Sequence, residues 1–269
     1  MLWPTGTGVP GMAERVGERR ERRARRAASL TIAALALAIL SGLCVALSGP
    51  GHRFGLLGTR WALGVFALAG LGGLAAAALA AWGFALALVA RAWRSVGGSG
   101  LALLVALAAA APLLAMVRAG AAAPLIHDIT TDTDSPPPFV SLDALRASSE
   151  NGTAYGGAGV AAQQQRGYPD LGPLVLALPP EQAFARVETS ARAMGWRIAA
   201  AAPAEGRLEA SDTTRWFGFT DDIVVRVRPA PGGSRIDVRS ASRVGRSDLG
   251  VNARRIRAFL ATLSSPPPR

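Results

Sequence analysis

Three long intervals without a charged side chain constrain this chain more than any other feature. No Asp, Glu, Lys or Arg occurs between Arg26 and Arg53, between Arg60 and Arg91, or between Arg94 and Arg118. Each interval exceeds the roughly 20 residues a helix needs to cross hydrocarbon. Water is absent from the bilayer core, so every backbone amide there must be satisfied inside its own helix. Ala/Leu-rich runs such as SLTIAALALAILSGLCVAL do this at little conformational cost. A secretory signal peptide is excluded for the first run, which is too long and is followed by two more. Residues 27–117 are therefore expected to form three transmembrane helices.

Orientation follows from arginine placement. In ERRERRARRAASL six arginines, Arg19 to Arg26, crowd against the first span, forming with residues 1–26 a basic tail held in the cytoplasm. Three crossings then place the C-terminus outside, in the periplasm. The short loops each carry two arginines, Arg53 with Arg60 and Arg91 with Arg94, and do not discriminate. All 29 basic residues are arginine and the formal charge is +11, a usage resembling that of a GC-rich bacterial genome. The amino-terminal cluster makes this charge topological first, with attraction to anionic membrane lipids and no nucleic-acid partner. None of the spans holds an ionisable residue, which argues against a transporter. Small residues in GLGGLAAAALAAWG, Gly70 to Gly83, let helices approach closely, either within one chain or between copies, so the oligomeric state stays open. The single cysteine, Cys44, lies in an apolar run and reads as a small hydrophobe.

Residues 118–165, rich in Pro, Gly, Ser and Gln, read as an extended, partly flexible connector with a polyproline strut at Pro136 to Pro138. Its PLIHDITTDTDSPPPF stretch invites a metal reading through His127, Asp128, Asp132 and Asp134. A calcium loop would need glycine where Pro136 stands, and zinc would need further nitrogen or sulfur ligands, the other histidine being His52 in the first loop. These remain weak metal candidates. The preferred reading is structural, with Thr and Asp capping backbone groups in a turn.

Residues 166–269 pattern as a folded α+β domain. PLVLAL reads as a strand, and PPEQAFARVETSARAMG as a helix with Pro at its entry and Gly195 after its end. WRIAAAA, GRLEASDT, DDIVVRVRP and SRIDVRSASRV read as four further strands. Ile223, Val225, Val227, Ile236 and Val238 point to one face, and Arg226, Arg228, Arg235, Asp237 and Arg239 to the other. A last helix is expected from an N-cap at Ser247 or Asp248. The expectation is a two-layer antiparallel sheet domain with two helices on one face, helix-grip-like, with the arginine-rich face either solvated or a docking surface.

The segment SDTTRWFGFTDD is the most informative local feature. Trp216, Phe217 and Phe219 flank Gly218 at a hairpin, bordered by Arg215, Asp221 and Asp222. Such aromatics either close the core or form a binding edge. Asp221 and Asp222 are adjacent on a strand and must point to opposite faces, which argues against paired acid/base chemistry. Arg243 and Arg246 precede the last helix, where an anion can bind, although solvated arginines beside a capped helix are the plainer reading.

HDITTDTDSPPPF, YPDL, DTTRWFGFTDDIVVRVRP and SRVGRSDLGVNARRIRAFL together resemble the bacterial and plastid family catalogued as domain of unknown function 1499, over roughly Pro124 to Leu263. The resemblance implies an exported, membrane-tethered domain, brings no catalytic residues, and implies that the His127 segment packs as part of the domain. The expected role is that of a bacterial inner-membrane protein presenting a non-enzymatic periplasmic module, without catalytic residues or cofactor. That module would bind an envelope protein or a lipid-like ligand through Arg215, Trp216, Phe217, Phe219, Asp221, Asp222, Arg243 and Arg246. The alternatives are an envelope hydrolase or metal-dependent enzyme built on His127 and the neighbouring aspartates, and a small-molecule carrier.

Overall fold

The computed structural model describes residues 11–264 and divides at Ala115/Met116 into two units. The first ten residues of the basic tail and the last five of the domain lie outside the described residues.

The first unit is built from α1 (Met12–Arg53), α2 (Thr59–Val89) and most of α3 (Trp93–Ala122). All three are long and apolar enough to cross a membrane. Their mutual contacts use alanine and glycine, because small side chains let backbones close to van der Waals distance. Ala34, Ala80 and Ala102 form one layer, and Ala38, Ala76 and Ala106 the next. Gly73 shows how tight this is: a Cβ there would stand 2.9 Å from the Ala110 backbone nitrogen. The small-residue stripe of α2 is thus spent on contacts inside one chain. Larger residues such as Ile32, Leu47, Leu68 and Leu104 face outward, the inverse of a water-soluble bundle.

The second unit holds β1 (Asp128–Thr130), α4 (Asp143–Ala147), α5 (Gly157–Gly167), β2 (Leu174–Leu176), α6 (Pro180–Ala193), β3 (Arg197–Ala202), β4 (Arg207–Thr213), β5 (Thr220–Ala230), β6 (Gly233–Ser242) and α7 (Val251–Ser264). The sheet is antiparallel throughout, in the order β1-β6-β5-β4-β3, with β2 also on β6. This is an α+β domain, as the pattern predicts. Gly206 lets β3 turn into β4: at φ 61° a Cβ would meet the Val227 carbonyl oxygen at 2.1 Å.

Under α6 and α7 lies an apolar core of Phe184, Val187, Leu208, Ile223, Val225, Ile236, Val238, Ile256 and Phe259, with Trp196 stacked on Phe259 at 4.7 Å. The last helix begins at Val251, three residues beyond the expected cap. Leu249 sits at φ 53°, so the chain cannot enter the helix until it has turned, and the Asp248 carboxylate then accepts from the Gly250 and Asn252 amides.

The other face of the sheet departs from expectation. The chain between β1 and α5, read as connector, lies over the arginine-bearing face as a strap and buries part of it, Arg239 included. Phe139 and Leu142 pack on Val224 and Ala241. The Glu209 carboxylate, fully buried, accepts from the amides of Val140, Ser141 and Leu142 and pairs with Arg207. The face is closed around Arg239, while Arg228 at its far end stays exposed, and Asp132 of the strap and Asp237 of β6 neutralise the guanidinium groups there.

Candidate functional site

Thr214 to Phe219 join β4 to β5, and their backbone is fixed locally. The Thr214 amide donates to the Phe219 carbonyl (2.8 Å), the Phe219 amide to Thr214 Oγ1 (2.9 Å), and the Gly218 amide to the Thr214 carbonyl (3.0 Å). Gly218 takes φ 74°, a conformation open to glycine. The tip presents Phe217 stacked on Phe219 (5.2 Å, 4° between planes) with Trp216 tilted against Phe217 (5.3 Å). These rings stand outside the apolar core, and Trp216 is 37% exposed. Arg215 is exposed beside them.

Beneath the tip, strand alternation sends the next rungs to opposite faces. Asp221 turns toward the helices, where Arg255 bridges it (2.7 Å) and Asp212 (3.0 Å). Arg255 also donates to Ser240 and Asn252, and Asn252 to the His127 carbonyl. Asp222 turns toward the strap, where it accepts from Arg146 (3.1 Å), from Arg243 (2.8 and 2.9 Å) and from Ser211 (2.7 Å). Burial alone would raise the Asp222 carboxyl, but the hydrogen bonds from Arg243 and Ser211 and the charges of Arg243 and Arg146 hold it below the usual carboxylate range. The hydrogen bond to Asp222 raises Arg243 in turn, while burial lowers Arg146.

Further along the strap face, Asp128 receives Arg239 through both carboxylate oxygens (2.7–3.2 Å). That guanidinium lies 4.8 Å from the Phe139 ring centroid and 5.7 Å from that of Tyr155. Burial and the nearby Asp128 charge push the Tyr155 hydroxyl up to about 12. Asp132 and Asp237 share Arg226, Arg228 and Arg235 at 2.8–3.5 Å.

The sequence candidates thus separate into distinct places. Arg215, Trp216, Phe217 and Phe219 share the tip; Asp221, Asp222 and Arg243 support its base from opposite faces. Arg246 is exposed and joins none of the ion pairs among the described residues. His127, Asp128 and Asp132 do not converge: both aspartates are held by guanidinium groups, and no trio of His, Cys, Asp or Glu among the described residues is placed to hold a metal ion. Arg146, the most consequential buried cation, has no signature in the sequence beyond an arginine in a short amphipathic turn. Its partner lies 76 residues away.

A family model with the description "Protein of unknown function (DUF1499)" matches residues 128–263, just over half of the chain. Among the curated proteins none matches.

Proposed function

The chain belongs to the DUF1499 family, and from that premise we propose that it is a membrane-held, non-enzymatic module that displays the β4–β5 tip to an envelope protein on the periplasmic side. The carrying observation is the stacked aromatic ladder of Trp216, Phe217 and Phe219, held outside the core on a hydrogen-bonded turn. Rigid aromatic surface next to an arginine has the composition of the few residues that dominate protein–protein affinity. A pre-set turn lowers the ordering cost of docking. Three spans would hold the module at the inner membrane, and the arginines before the first span support a cytoplasmic amino terminus.

The hydrolase alternative needs a buried carboxylate free to take a proton beside His127; Asp128 and Asp132 are committed to guanidinium partners, and Asp134, in no ion pair among the described residues, is exposed to solvent. A photo-crosslinking residue at position 216 of the full chain, in intact membranes, should capture one protein. Trp216→Ala should abolish co-purification of that protein while shifting stability by no more than about 1 kcal/mol, as for an exposed position. Crosslinks to lipid alone, or unchanged co-purification by Trp216→Ala, would sink the proposal.

A further inference from the structure

We infer that β3 is the edge through which two copies of this chain pair, strand against strand, in a membrane-held dimer. β3 ends the sheet order and hydrogen-bonds to β4 alone. Every second amide and carbonyl along its other side therefore meets no strand among the described residues, and such an edge is a template for further pairing. The opposite end of the sheet is guarded, since β1 is three residues long and leads into the strap.

Charge and proline, which blunt sheet edges, are absent from Ile198 to Ala202. The strand reads RIAAAA, with its single charge at the first position, and Pro203 follows its end. The register shifts once, between Ile198 and Ala200, and Ala200, Ala201 and Ala202 then pair regularly with Glu209, Leu208 and Arg207. Cross-strand partners share a face, so Ala201 lies on the helix side with Leu208. Leu208 is fully buried while Ala201 is exposed, so the helices stop short of this edge and leave it open.

The edge is complementary to itself. Methyl side chains on both faces let two such strands reach a ladder spacing of about 4.8 Å with no bulky group in the way. Its ends carry opposite charges: Arg197, exposed and in no ion pair among the described residues, opens the strand, and Glu205, exposed beside Arg207, stands just past its end. Antiparallel pairing about a two-fold axis at Ala201 sets Ala200 level with the second copy's Ala202, and each Arg197 level with the other's Glu205. Parallel pairing in register would oppose like charges instead. Spans that hold both copies in one bilayer raise their effective concentration, so a short ladder suffices.

Cysteine crosslinking of the full chain in intact membranes tests the pairing, with Cys44→Ser as background. Residues directly opposite in an antiparallel pair have Cα atoms about 4.5–5.5 Å apart, within disulfide range. Ala201→Cys should therefore give an oxidant-dependent dimer, and Ser148→Cys, exposed at the end of α4, should not. Ala201→Asp places two carboxylates face to face on the axis. It should weaken dimerisation about tenfold, read by energy transfer between copies labelled at the C-terminus and reconstituted in liposomes. The melting temperature should stay unchanged, because position 201 is exposed in the single chain. Equal crosslinking at positions 148 and 201, energy transfer at the level of random encounter, or transfer undiminished by Ala201→Asp would overturn the dimer. A disulfide from Ala201→Cys to a different protein would overturn the second copy as occupant of the edge.

Discussion

Asp222 is fully buried between two arginines that come from very different parts of the chain, and its removal should be felt at both. Asp222→Asn leaves Arg146, itself 1% exposed, without a counter-charge. Breaking one side of a buried pair costs about 3–5 kcal/mol, far more than the pair contributes over an apolar replacement of both partners. The double change Arg146→Met with Asp222→Leu should therefore be milder than Asp222→Asn alone in thermal melts of the detergent-solubilised protein. The acid response has a defined sign. Asp222 binds its proton less tightly when folded than when unfolded, so its contribution is present above the ordinary carboxyl value of about 3.9 and is lost as pH falls through and below it. Wild type should lose melting temperature below about pH 4, with Asp222→Asn showing a flatter limb there. Parallel limbs would refute this. At this scale the sequence is legible in one respect: alternation places Asp221 and Asp222 on opposite faces. It is silent on Arg146, because nothing local in DALRA tells a buried guanidinium from a solvated one.

The strap is the element that pattern reading misjudged, and the reason is physical. A strand alternating Val with Arg has the same pattern whether water or another segment covers its charged side, since burial of arginine requires only that carboxylates arrive from elsewhere. Here they arrive from Asp128 and Asp132, about 100 residues upstream of the arginines they meet. Proline and glycine content indicates irregular backbone, and irregular backbone can still be fixed by anchors. Glu209 is one such anchor, accepting three strap amides from a position in mid-strand. Glu209→Ala should release the strap around Val140 to Leu142 and leave Arg207 without its buried partner, at a cost of roughly 3 kcal/mol. Hydrogen–deuterium exchange should rise in residues 139–147 while β5 and β6 stay protected. Uniform loss of protection would mean that the strap and sheet open as one unit and that Glu209 is no separate anchor. The strands under α6 and α7 were legible because their apolar side leaves a period of two; the strap, held by ion pairs and carboxylate-to-amide bonds, leaves no period to read.

For the whole molecule, the spans and the fold of the second unit were readable, and the orientation rests on one charge asymmetry. The structure carries α1 back to Met12, so the arginines from Arg15 to Arg26 continue the same helix as the apolar run instead of forming a separate arm. Arg20 is tied within the first unit, its Nε donating to the Ala90 carbonyl at 2.8 Å. Moving these groups through hydrocarbon opposes insertion by about 2.5–3.5 kcal/mol for each arginine that reaches the bilayer centre. The short loops offer two arginines apiece and supply no opposing bias. A reporter enzyme active only outside the cytosol, fused after Arg269, should therefore be active, and one active only in the cytosol should be silent at that position. Replacing Arg19, Arg20, Arg22, Arg23, Arg25 and Arg26 with Gln should yield a mixture of both topologies, since nothing else in the flanks strongly prefers one side. If the fusion reports only from the cytosol, the module does not face the envelope, and the proposed tip partner must be sought inside the cell. If the glutamine variant keeps a single orientation, the second unit itself directs translocation and the arginine cluster does not.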